Sequence, residues 1–123
     1  MVKQRPARKT ARPRNVLRKR LSQIHLFATD VDGVLTDAGM YYAESGDEWK
    51  KFNTRDGMGI KLLQRAGIIT AIVTQERTKL VARRAEKLAI PELHQGVMDK
   101  LSCLREMAAR HGLTLSQVAY IGD

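Results

Sequence analysis

The chain has 123 residues, 43% of them hydrophobic and 28% charged, which is enough for one modest domain with a single core and too little for two. Its formal charge of +9 sits in the first 20 residues, which hold nine basic side chains and no acidic one; from residue 21 onward 13 basic residues balance 13 acidic ones. A single cysteine, Cys103, excludes an intramolecular disulfide and fits a reducing cytoplasm; no apolar run is long enough to span a bilayer, and His25, His94 and His111 lack the spacing of a zinc site.

Residues 1–15, MVKQRPARKTARPRN, contain two prolines, many basic side chains and no apolar run, so they are expected to form a disordered basic tail. The tail lacks the apolar segment of a secretory signal and is poor in serine for a transit peptide. It would attract a polyanion without sequence preference, but a solvated leader is the expectation, and no nucleic-acid partner is expected for the rest of the chain. Leu17, Leu21 and Ile24 then recur at helical spacing and predict a short helix against the body.

The run HLFATD reads as a buried strand, and GMYYAESGDEWKKF, with aromatic residues on both sides of Ser-Gly-Asp, as a hairpin. From Asp56 a helix is predicted with Ile60, Leu62 and Leu63 inward and a stop at Gly67. IITAIVT is a second buried strand, followed by a helix over RTKLVARRAEKLA with Leu80, Val81, Ala85 and Leu88 inward. A short strand ELHQ, a helix DKLSCLREMAARHG and a last strand VAYIGD complete the order. Strand and helix alternate, so residues 16–123 are expected to form one α/β domain: a Rossmann-like parallel sheet flanked by helices, with a β-hairpin inserted after the first strand.

Ligands of such sheets bind outside the carboxyl ends of the strands. Asp30, Thr74 and Asp123 each stand at such an end, and Lys100 opens a helix close behind another. Side chains two apart on a strand share a face, so Asp30 and Asp32 address one centre, and their mutual repulsion calls for a cation. Hard oxygen donors suit magnesium, which keeps waters and takes one or two carboxylates; Asp30 and Asp123 are the natural side-chain ligands. Asp30 could then attack a phosphorus atom in line and form an aspartyl phosphate, while Asp32 exchanges protons with the leaving oxygen and the attacking water. Lys100 and the Thr74 hydroxyl would hold the phosphoryl oxygens.

In order along residues 25–123, DVDGVLTDAG, IVTQERT, DKL and YIGD resemble the four motifs of the haloacid dehalogenase (HAD) superfamily. The resemblance implies Asp30 as nucleophile, Asp32 as acid-base, Thr74 and Lys100 as phosphate ligands, and magnesium held by Asp30, the backbone carbonyl of Asp32, and Asp123. GMYYAESGDEWKKFNTRDGMGIKLL is similar to the hairpin and loop of the capless branch that dephosphorylates 2-keto-3-deoxy sugar acids, with Asn53, Arg55 and Asp56 matching its substrate loop. That branch implies a homotetramer in which a neighbouring subunit helps close the site. Glu76 and Lys87 resemble the nine-carbon, nonulosonate 9-phosphate type, where octulosonate 8-phosphate enzymes typically have arginine and threonine; the eight-carbon substrate is the alternative. Glu76 and Lys87 are expected to share a helix face, with Arg84 forking onto the substrate carboxylate. A non-catalytic relative whose tail docks on a polyanion is the rival from another class.

The chain departs from the family at two places. Gln75 stands where glycine is usual and is expected to affect rate or fit. VAYIGD stands where the family continues with a further aspartate, strand, helix and tail, so C-terminal strands and carboxylates around the metal are expected to be missing; a truncated gene model or a fragment is preferred to a degenerate gene.

Overall fold

The structure is a computed structural model that describes residues 14–123. The predicted tail lies outside the described residues except for Arg14 and Asn15, which open helix α1 (Arg14–Ser22) instead of continuing the tail. The elements that follow are β1 (Leu26–Thr29), β2 (Tyr41–Tyr42), β3 (Glu48–Trp49), α2 (Thr54–Arg65), β4 (Ile69–Val73), α3 (Lys79–Lys87), β5 (Glu92–His94), α4 (Lys100–Arg110) and β6 (Val118–Ile121), the last entered through a single 3-10 turn. Among the described residues no helix is long and apolar enough to cross a membrane.

Four strands form one parallel sheet in the order β5-β4-β1-β6. Period-2 alternation sorts its side chains to two faces. Leu26 and Ala28 of β1 and Ala71 and Val73 of β4 point to the side of α4, where they pack with Leu104 and Met107. Ile72 points to the other side, where Ile60 of α2, Val81 and Ala85 of α3, and Leu88 just past its end complete a second cluster. Each large aliphatic side chain buried in this way contributes roughly 1.5–3 kcal/mol. Helices on both faces are why β1 and β4 read as nearly continuous apolar runs. The expected α/β class and hairpin insertion are both present: β2 and β3 pair antiparallel beside the sheet, with Tyr41 opposite Trp49.

Four expectations are corrected in detail. Helix α1 forms but buries none of its residues; Leu17 is 57% and Leu21 60% exposed, and Leu21 only lines a groove beside Val118. Leu62 is 55% exposed, while Ile60 is 4% exposed. Ile60 and Leu63 lie three apart and share a stripe, and two residues of helix rotate Leu62 away from it. Helix α2 starts at Thr54 and not at Asp56, because the Asn53 side chain caps it by accepting from the Arg55 N–H at 2.8 Å. Helix α3 starts at Lys79, because the Thr78 hydroxyl accepts from the N–H groups of Leu80 and Val81. Glu76 therefore lies in the loop before α3 and shares no helix face with Lys87.

Candidate active site

The C-terminal ends of β1, β4 and β6 and the start of α4 border an open cleft of about 530 Å³. Its walls are Asp30, Asp32, Thr74, Gln75, Glu76, Lys100 and Asp123, so six of the predicted site residues, together with Gln75, meet in one place.

Asp30 continues β1, and its N–H donates to the Ile121 carbonyl at 2.9 Å, which locks the exit of β1 to β6. Its carboxylate is 10% exposed; Oδ1 accepts from the Val31 N–H and Oδ2 from the Lys100 ammonium, both at 2.7 Å. The hydrogen bond to Asp30 is the main reason the Lys100 ammonium is held above its ordinary range; burial works against it, and Tyr120 adds a smaller contribution in the same direction. Lys100 is thus a firmly charged group at the mouth of the cleft.

Gly33 accounts for the glycine that follows the paired aspartates. Its φ of +78° is left-handed, and a Cβ built there would lie 3.0 Å from Asp123 Oδ2. Any side chain at this position would press on the carboxylate that β6 delivers. Thr74 is pinned from both sides, its N–H donating to the His94 carbonyl at 2.9 Å and its carbonyl accepting from Val97 at 3.0 Å, which leaves the hydroxyl on the cleft wall. Gln75 does not adopt a left-handed φ, so the turn makes no demand for glycine there.

Asp32 holds a group that the sequence reading missed. Lys50, at the end of the hairpin, places its Nζ 2.6 Å from Asp32 Oδ1 and 2.6 Å from Glu76 Oε2, with its side chain 1% exposed. Burial by itself would lower the Lys50 pKa, but the hydrogen bonds and charges of Asp32 and Glu76 outweigh it and raise the ammonium above its ordinary range. Lys50 and Lys51 are adjacent, and their side chains point to opposite faces of an extended chain. Nothing in the local sequence says which of them turns inward.

The remaining predicted residues do not line this cleft. Asn53 is the α2 cap, and its carbonyl accepts from Arg84 Nη2 at 3.1 Å. The Arg84 guanidinium also lies 5.4 Å from the centre of the Phe52 ring, and a Cβ on Gly57 would lie 2.9 Å from its Nη2. Within one chain Arg84 therefore ties α3 to the start of α2. Arg55 borders an apolar groove with Phe27 and Ile121, and Lys87 is exposed at the last turn of α3.

The donor set fits a small hard cation. Among the described residues no three Asp, Glu, His or Cys side chains gather tightly enough to hold a metal by themselves. Two carboxylates, Asp30 and Asp123, nevertheless face the same cleft from neighbouring strands, and Gly33 gives Asp123 the room to approach. Two acidic side chains, a backbone carbonyl and water are what magnesium accepts, whereas zinc would require nitrogen or sulfur donors that the cleft lacks.

Comparison with known proteins places this arrangement. The chain is similar to members of the haloacid dehalogenase superfamily, with 39% identity and a TM-score of 0.85 to a Legionella pneumophila structure assigned to subfamily III A of that superfamily, over 89% of this chain and 60% of the other. Its relatives are more particular than that. Over 105 residues, 85% of this chain and 56% of the relative, it is 45% identical to the 3-deoxy-D-manno-octulosonate 8-phosphate phosphatase KdsC of Yersinia pestis. The crystal structure of the Moraxella catarrhalis octulosonate 8-phosphate phosphatase, in complex with magnesium, phosphate and KDO, matches with a TM-score of 0.85 and 42% identity, over 89% of this chain and 63% of that one. The chain spans little more than half the length of the curated relatives it matches. No protein-family model matches it.

Proposed function

We propose that this chain carries the active site of a magnesium-dependent phosphomonoester hydrolase acting on a phosphorylated 2-keto-3-deoxy sugar acid through an aspartyl-phosphate intermediate. The observation that carries the proposal is the convergence of Asp30, Asp32, Thr74, Lys100 and Asp123 on one cleft at the carboxyl edge of the sheet.

Magnesium bound by Asp30, Asp123 and the Asp32 carbonyl would supply charge neutralisation between carboxylate and phosphate. Asp30 then attacks phosphorus: an Asp30 oxygen to phosphorus bond forms, the phosphorus to ester oxygen bond breaks, and Asp32 gives its proton to the departing alkoxide. A water oxygen next bonds to phosphorus, Asp32 takes back a proton, and the Asp30 carboxylate is released with inorganic phosphate. The Val31 N–H and Lys100 orient the Asp30 oxygens, and Lys100 and Thr74 hold the charge that spreads over the equatorial phosphoryl oxygens.

The names of the relatives support octulosonate 8-phosphate as the substrate. Glu76 is the specific residue that favours a nonulosonate 9-phosphate, the second reading. A homotetramer is part of the proposal and is supported by the exposed Tyr41, Tyr42 and Trp49 of the hairpin, and a cytoplasmic location is proposed from the single cysteine. The test is phosphate release from both sugar phosphates, with magnesium and with chelator, for the wild-type chain and Asp30→Asn. Metal-dependent release that Asp30→Asn reduces by at least about 10³-fold is expected. Release indifferent to chelator and to Asp30 would overturn the proposal.

A further inference from the structure

The Lys50 ammonium joins three segments that are distant in sequence: the hairpin that carries it, the loop after β1 through Asp32, and the loop after β4 through Glu76. Its three protons all have destinations, the third being the Met40 sulfur at 3.8 Å. The side chain is 1% exposed and does not border the cleft, whereas the Asp32 and Glu76 side chains are 32% and 49% exposed and do. Lys50 therefore stands behind the cleft wall and not in the path of a substrate.

The bond to Asp32 is selective at the level of atoms. Lys50 takes Oδ1, and among the described residues no hydrogen bond engages Oδ2. A carboxylate held by one oxygen keeps the other for proton exchange, with its plane fixed about the side-chain torsions. Without the ammonium, Asp32 and Glu76 would face each other as two like charges, and the exposed Asp32 side chain would turn toward solvent.

We propose that Lys50, anchored by Glu76, is the positioning residue that holds the Asp32 carboxylate with Oδ2 directed to the ester oxygen, so that the hairpin sets the geometry of proton transfer. The inference rests on the reading of Asp32 as the acid-base group. In the step it serves, Oδ2–H gives its proton to the alkoxide as the phosphorus to oxygen bond breaks, and Oδ2 receives a proton from the attacking water as the aspartyl phosphate opens.

The dependence on the leaving group separates positioning from a merely structural role. A sugar alkoxide needs its proton in the transition state, whereas p-nitrophenolate departs without one. The experiment compares octulosonate 8-phosphate with p-nitrophenyl phosphate for the wild-type chain, Lys50→Met and Lys50→Arg, with magnesium present. In the first turnover, before the shared aspartyl phosphate is hydrolysed, Lys50→Met is expected to slow release of the sugar about 10- to 100-fold with KM within about threefold, and to change the rate of p-nitrophenolate release by less than about threefold. Lys50→Arg, which keeps the charge, should recover most of the loss. Should Lys50→Met fail to fold, Lys50→Gln, which removes the charge but keeps a polar group behind the cleft wall, is expected to show the same split between the two esters. Equal loss on both esters, or a rise in KM at constant kcat, overturns the positioning role while leaving the hydrolase reading intact. A wild-type chain inactive on both esters overturns the two together.

Discussion

Glu92 opens β5 and Asp30 follows β1, and both carboxylates are about 90% buried with cations beside them, yet their surroundings differ in one respect. Glu92 is saturated: Oε1 accepts from Arg110 Nη1 at 2.8 Å and His111 Nε2 at 2.9 Å, and Oε2 from Arg110 Nη2 at 3.2 Å and His94 Nε2 at 2.6 Å. Arg110 is the main reason its pKa falls to about 2; burial opposes this, and the two histidines assist. Asp30 has one bond on each oxygen, from Val31 and Lys100, which leaves a lone pair on each. A carboxylate with every acceptor direction filled is fixed and unreactive; one with directions open can still take a metal or a phosphorus atom. Saturation, and not burial or nearby charge, separates the structural carboxylate from the chemical one.

The sharpest way to break this comparison is to exchange the readouts. Asp30→Asn should remove nearly all phosphate release while the midpoint of urea unfolding stays within error, since an amide still accepts at one oxygen from Val31 or Lys100. Glu92→Gln should do the reverse, losing about 2 kcal/mol of stability with kcat within about threefold of wild type. The figure is held to about 2 because Arg110 is half exposed and can return to water. If Glu92→Gln lost activity as severely as stability, the two regions would not be independent. The link would then run through His94, whose carbonyl holds the Thr74 N–H.

Acid supplies a milder version of the same test. The folded pKa of Glu92 lies below its ordinary value of 4.5, so the unfolded chain binds the proton first as pH falls. The stabilisation is complete above about pH 5 and is lost progressively as pH drops from there toward 2. Urea unfolding of the wild-type chain should weaken over that window by an amount on the order of 2 kcal/mol. Glu92→Gln should show a flatter profile over the same range. Equal acid sensitivity in both proteins would mean that other carboxylates dominate.

How much of this was legible in the sequence followed from the range of the interactions. Strands β1, β4 and β6 were evident from apolar runs, and Asp30, Thr74, Lys100 and Asp123 from their places at the ends of those runs, because a strand end and its edge of the sheet are local facts. Lys50 was not legible, since its partners are 18 and 26 residues away and the neighbouring Lys51 looks the same locally. The Glu92 cluster was hidden for a similar reason: His94 is two residues off, but Arg110 and His111 arrive from the far end of α4. Helix starts were misplaced by two residues at Asn53 and Thr78, where a side-chain cap overrides apolar spacing. Glu76 lies ahead of the Thr78 cap, so the helix face expected to join it to Lys87 does not exist.

The smallest expected effect concerns the two faces of α2. Leu62 was predicted inward beside Ile60, but it is exposed, and leucine and glutamine differ little in helix propensity. Leu62→Gln should therefore change stability by less than about 0.5 kcal/mol, whereas Ile60→Ala, which opens a cavity between α2 and α3, should cost about 2–4 kcal/mol. Urea unfolding at two protein concentrations makes the test more discriminating. If Leu62→Gln is neutral at low concentration but destabilising at high concentration, this face of α2 is covered by a second copy of the chain, because only an association equilibrium makes stability depend on concentration. Neutrality at both concentrations leaves Leu62 as one of the isolated exposed leucines that folded proteins tolerate.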